Sequence, residues 1–277
     1  MAVLVICCLH YTQNNLFVNT RTTLNKIMQY HVGLGCSFGF SNHSVHQVIA
    51  EKRNATFINL SDGGKGNFRI YVELLQWVAA NTSILQDTTV SIGWSGIWRN
   101  DVIRDASKFT KNVKLDTSYL WHTWRADRSN KTLKNMPTEM DIDLDHLVRY
   151  YSLVIGAQIL LKNLGVKYIM YNALDPNMSE HSLKSWKKLR VKTLKQQIDM
   201  TKFFKFDDSH SNFIAEHRYF LDPSPASFWK KTMHKFKKSN QTDMRMDFEV
   251  NDAHPSPEGN RKWAELMWEY IQQNQVL

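Results

Sequence analysis

An α/β fold, a three-layer α/β/α sandwich around a mainly parallel, flavodoxin-like sheet, is what this chain predicts from its pattern. Short apolar runs alternate with stretches of helical periodicity from Tyr30 onward, and repeated β-α units place helices on both faces of a parallel sheet. Helix signals fall where this scheme needs them: Gly165 ends one long apolar stripe, and Pro255-Ser256-Pro257 opens another.

Taken in order, Tyr30 to Leu34 reads as a buried strand and Val45 to Arg53 as a short helix. Thr56 to Leu60 reads as a second strand. Asn67 to Ala80 follows as an amphipathic helix, with Ile70, Leu74, Leu75, Trp77 and Val78 turned inward. Thr88 to Ile92 is the third strand. The helix from Asp141 to Leu164 carries Leu144, Leu147, Val148, Tyr151, Val154, Ile155 and Leu161 on one stripe. Val166 to Tyr171 is the fourth strand, and Glu258 to Gln273 is a last helix burying Trp263, Leu266, Met267 and Ile271.

Residues 1–27 do not continue this pattern and are expected to lie outside the fold. They begin with a short apolar patch that lacks the basic start and cleavage site of a signal peptide. Residues 28–277 then form a single domain, interrupted at about 96–140 and 183–250. The first interruption is polar and aromatic, with Trp98, Tyr119, Trp121 and Trp124. Both leave or approach the carboxyl side of the sheet, where they form either a lid and substrate wall or side decoration.

The chain has 277 residues, 43% hydrophobic and 22% charged, enough to bury one full core. No apolar run reaches ~18 residues, so no transmembrane segment is expected. The net charge of +9 concentrates between Leu183 and Lys238, with fourteen Lys or Arg against five Asp or Glu. That excess suits a solvated helix face, or an anionic partner bound at 183–238. No nucleic-acid-binding motif accompanies it, so nucleic acid is not the expected partner. Three cysteines, two of them vicinal (Cys7 and Cys8), form no secreted disulfide framework. A cytoplasmic location follows as the expectation, with secretion left open.

Two blocks carry chemistry. Gly35-Cys36-Ser37-Phe38-Gly39-Phe40-Ser41 puts a serine on the tight turn leaving the first strand, where nearby backbone N–H groups can receive an anion. Asp252-Ala253-His254-Pro255-Ser256 supplies a histidine with a carboxylate two residues before it. Serine, histidine and carboxylate are the parts of a nucleophile, base and orienter. No cluster of Cys, His and carboxylates has metal-ligand spacing, so no metal and no cofactor are expected.

In their order along the chain these blocks resemble the GDSL/SGNH hydrolase family, and more closely the SGNH-like proteins of tailed phages and marine viruses. The resemblance implies an SGNH-hydrolase type of fold, with Ser37 as nucleophile and His254 as base. It also implies that Asn59 to Asn67 is the family's second block, whose Gly64 shares the oxyanion with the amide of Ser37. There are two departures. The third block reads Ile92-Gly93-Trp94-Ser95-Gly96, with Ser95 near where the family has an asparagine. Counting back three from His254 gives Asn251, so Asp252 stands one residue out of register. Arg99, soon after the third strand, is a candidate substrate clamp. The implied activity is hydrolysis of a small acyl ester, such as an O-acetyl group on a glycan, through an acyl-enzyme. A non-catalytic SGNH-like protein that binds a glycan or a virion component is the alternative.

Overall fold

The computed structural model describes residues 29–40, 43–97, 99–105, 119–125, 142–174, 185–221 and 254–277. The expected extension at 1–27 lies outside these residues, as do Asn251, Asp252 and much of both interruptions.

Among the described residues five strands form one sheet in the order β2-β1-β3-β6-β7, and every neighbouring pair is parallel. They are β1 (Tyr30–Gly35), β2 (Thr56–Asn59), β3 (Thr88–Trp94), β6 (Lys167–Asn172) and the short β7 (Phe203–Phe204). A one-turn α1 (Ser37–Phe40) and α2 (Val45–Lys52) follow β1, and α3 (Asn67–Ala80) connects β2 to β3. A separate antiparallel hairpin, β4 (Arg99–Asp105) with β5 (Tyr119–Arg125), leaves the end of β3. Next come α4 (Ile142–Asn163), α5 (Ser185–Lys195), α6 (His210–His217) and α7 (Pro257–Asn274). The segment expected to interrupt the fold at 183–250 therefore supplies the last strand of the sheet. Two residues of β7 are too few to show any periodicity in the sequence.

Period-two alternation gives the two sheet faces different chemistry. Val32, Leu34, Val90, Ile92, Tyr168 and Met170 point into an apolar core shared with Ile70 and Leu74 of α3 and Leu147, Val154 and Leu161 of α4. On the opposite face Cys36, Ile169 and Tyr171 pack with Ile49 of α2 and with Trp263, Met267 and Ile271 of α7. That second face also holds the polar residues His31, Thr89 and Ser91. Gly33 lets α2 come close: a β-carbon there would lie 2.5 Å from Cβ of His46.

Helix burial follows the expected stripes with adjustments on three helices: Leu266 of α7 and Leu144 of α4 are only half-buried, and others fall on α3 and α4. Leu75 is 38% exposed rather than inward, because α3 packs through Ile70, Leu74, Trp77 and Val78 and the next residue turns past the edge of that stripe. On α4, Tyr150 and Ala157 are buried where Val148 and Ile155 are only half-buried. Gly165 ends α4 at φ +67°, with its own N–H bonded to Lys162 O and that of Val166 to Leu161 O.

Candidate active site

In an open parallel sheet the ligand crevice lies beyond the carboxyl ends of the strands, where successive connections depart in opposite directions. Here that point lies between the central neighbours β1 and β3, since β2 extends the sheet one way and β6 the other. Ser37 follows β1 and Ser95 follows β3, so both stand at this crevice.

Ser37 is partly exposed and opens α1, whose turn is closed by Gly39 N–H donating to Cys36 O at 2.9 Å. The Asn59 side chain ties the second block to this turn by donating to Gly39 O and Phe40 O, each at 3.4 Å. Asp62 N–H donates to Gly35 O at 3.3 Å, which continues the β1–β2 pairing into the loop. The Gly63-Gly64 pair is thus held beside the exit of β1. Gly64 is exposed with φ +75°, a conformation that favours glycine.

His254 comes from the far end of the chain to the same turn. Its ring centroid is 5.8 Å from that of Phe38, the residue after Ser37. A short antiparallel contact holds it: Leu221 N–H donates to His254 O at 3.0 Å, and Ser256 N–H donates to Tyr219 O at 2.8 Å. Ser256 then caps α7 by accepting from Gly259 N–H at 3.1 Å, with Pro257 in the first turn. The sequence signal that opens α7 therefore also places the histidine.

Ser95 and Arg99 have structural partners. Ser95 is buried; its N–H donates to Asn67 Oδ1 at 2.7 Å, and its carbonyl accepts from Asn67 Nδ2 at 3.0 Å. Its hydroxyl has no hydrogen-bond partner among the described residues. Arg99 Nη1 donates to Lys65 O at 3.3 Å. Lys65 is itself buried and ion-paired with Glu73, and burial pulls its pKa down against the opposing pull of that carboxylate.

Beneath the turn is a polar layer that sequence reasoning did not assemble. His31 bonds Thr89 Oγ1 and Ser91 Oγ, each at 2.8 Å. His46 bonds Ser91 Oγ at 2.6 Å and Tyr171 Oη at 3.3 Å. His210 stacks on Trp263 at 5.5 Å and meets Phe38 edge-on at 5.6 Å. Burial pushes His46 and His210 down to about 3 and holds His31 well below the usual imidazole value. These three imidazoles are enclosed and neutral; His254 is partly exposed. His31 and His46 are visible in the sequence near the serine block, but only strand pairing shows that they share Ser91. Among the described residues no group of three His, Cys, Asp or Glu is placed to hold a metal.

Neither a family model nor a curated protein matches the chain. Among solved structures it is similar to Axe2, an acetylxylan esterase from Geobacillus stearothermophilus, at 14% identity over 89% of this chain and 96% of that one, TM-score 0.42. It is also similar to the psychrotrophic esterase EstA from Pseudoalteromonas sp. (10% identity, 88% and 97% coverage, TM-score 0.41). A GDSL-like lipase from Bacteroides thetaiotaomicron is a third (9%, 88% and 88%, 0.39). At such identities and TM-scores the likeness assigns no activity to this chain. No helix among the described residues is long and apolar enough to cross a membrane.

Proposed function

We propose that this protein is a serine ester hydrolase of the GDSL/SGNH type, acting on a small acyl ester such as an O-acetyl group of a glycan. The observation that carries this reading is the meeting of His254 with the Ser37 turn, Phe38 and His254 lying 5.8 Å apart at the crevice between β1 and β3.

In this mechanism His254 accepts the Ser37 hydroxyl proton as Oγ forms a bond to the acyl carbon. The carbonyl electron pair moves onto oxygen, and the oxyanion is stabilised by the amides of Ser37 and Gly64, with the Ser95 hydroxyl as a third donor. Collapse breaks the ester C–O bond, and the imidazolium of His254 gives its proton to the departing alcohol. Water, deprotonated by the same histidine, then releases the acid from the acyl-enzyme. Asp252 is assigned to the other imidazole nitrogen, where a carboxylate stabilises the imidazolium. Arg99 is assigned a contact with substrate beyond the loop that it already braces. The buried free Cys36 and the odd cysteine count favour work in the cytoplasm, of an infected host if the chain is viral.

A reactive fluorophosphonate tests this directly. Covalent labelling of the parent, lost in Ser37→Ala, supports the hydrolase. One observation favours a second reading, a non-catalytic glycan- or virion-binding protein: Ser95, in the place of the family's asparagine, is buried with its amide already committed to Asn67. A folded parent that takes no label decides for that reading.

A further inference from the structure

We propose that Asp101, on the β4–β5 hairpin, is a positioning residue that holds the Gly63–Gly66 loop and so sets where the Gly64 amide meets a developing oxyanion. This rests on the assignment of Gly64 made above.

Helix α3 begins at the N-cap Gly66, which has no side chain to satisfy the first N–H groups. Asp101 takes that role from another element. Its Oδ1 accepts from Gly66 N–H at 2.9 Å and its Oδ2 from Arg69 N–H at 2.8 Å. Arg69 is the third residue of the helix, the usual target of a capping side chain. The carboxylate also sets negative charge against the positive end of a 14-residue helix. A β-carbon at Gly66 would lie 2.6 Å from Asp101 Oδ2 and 2.8 Å from Arg99 O, so the approach of β4 requires glycine there.

The loop is clamped at both ends and open in its middle. On the α3 side it is held by Asp101 and by Arg99 on Lys65 O. On the β2 side Asp62 accepts from Gly63 N–H at 2.7 Å and from Arg69 Nη2 at 2.9 Å. Between the clamps, no atom beyond the chain neighbours lies within 4 Å of where a β-carbon of Gly63 or Gly64 would stand. Among the described residues only the neighbouring Asp62 touches the pair with a side-chain hydrogen bond, so its position follows from its ends: Lys65 Nζ donates to Leu60 O at 2.6 Å across the base of the loop, and Asp101 holds the backbone two residues from Gly64.

Asp101→Asn removes the charge and one of the two acceptors while keeping the shape. Kinetics with 4-nitrophenyl acetate, thermal melting and amide hydrogen exchange over residues 61–69 are measured for the parent, for Asp101→Asn and for a core control, Leu74→Ala. Asp101→Ser, which keeps one acceptor, replaces Asp101→Asn if that variant does not fold. The expected result is a kcat roughly 10–100-fold lower with KM little changed, the pattern of lost transition-state contact, together with faster exchange confined to the loop. Leu74→Ala should lower the melting temperature but leave kcat within about threefold of the parent. Unchanged loop exchange overturns the proposal, and so does a kcat no lower than that of the control. A parent that neither turns over ester nor takes the fluorophosphonate overturns the esterase reading instead. The exchange result then decides by itself whether Asp101 orders the loop.

Discussion

Asn67 and Ser95 exchange two hydrogen bonds, side-chain amide to backbone amide and carbonyl, at 2.7 and 3.0 Å in a buried setting. This pair joins the first residue of α3 to the exit of β3, and so joins the loop carrying Gly64 to the strand end carrying Ser95. Removing it would leave a buried N–H and a buried C=O unpaired, at about 1–3 kcal/mol for each such group.

Asn67→Ala should therefore destabilise the fold by about 2 kcal/mol or more, seen as a melting point lower by roughly 4–8 °C for a domain of this size. A melting curve that matches the parent would show that water or local relaxation takes over both partners.

The relay makes its own prediction. Ser37→Ala and His254→Ala should each reduce esterase turnover on the order of 10⁴-fold or more with near-parental melting. Asp252→Asn should lower turnover by roughly 10²–10⁴-fold, far more than Asn251→Ala, because only a carboxylate stabilises the imidazolium. Equal effects at 251 and 252 would mean that the Ser-His pair works without this acid.

Stability should depend on pH through the enclosed histidines. His46 and His210 are pushed down to about 3 by burial, and His31 is held low mainly by burial, with the neighbouring His46 and Arg53 disfavouring a second positive charge there. As the pH falls below ~6.5 the unfolded chain takes up protons at these three positions and the folded chain does not, so the folded state loses stability. The loss amounts to about 1.4 kcal/mol per pH unit for each such proton, and for His46 and His210 it continues until the pH nears their folded values. Urea midpoints at pH 7.5, 6 and 5 measure the slope. His210→Phe should flatten it by about one proton's worth, and an unchanged slope would remove His210 from this account.

Two glycines separate steric demand from mere occurrence. A β-carbon at Gly33 would lie 2.5 Å from Cβ and 2.6 Å from Cγ of His46, whereas one at Gly63 would meet nothing within 4 Å. Gly33→Ala should cost about 1–3 kcal/mol by overpacking, and Gly63→Ala should stay within about 0.5 kcal/mol. Chemical denaturation of both variants checks the contrast.

Local signals were enough to determine much of the scaffold. Apolar runs located β1, β2, β3 and β6 to within a residue or two, and apolar periodicity located α3, α4 and α7, the last two with end signals as well. The register of each is short-range: period two or 3.6 against one buried face, ended by Gly165 or begun behind Ser256 and Pro257. The order of blocks likewise brought Ser37, Gly64, Ser95 and His254 forward as candidates.

Tertiary structure alone decided how these parts meet. That His31 and His46 share Ser91, that Asp101 caps a helix with no capping side chain of its own, and that Asn67 occupies the Ser95 backbone all depend on contacts between residues far apart in the chain. Hydrogen bonds of this kind follow from strand order and from the approach of one backbone to another, which leave no periodic trace in either partner's neighbourhood. The two-residue β7 is a strand only because Met170 and Tyr171 lie beside it. The same reason separates Leu75 from Leu74: adjacent leucines look alike in sequence, and the position of the neighbouring layer determines which one is buried.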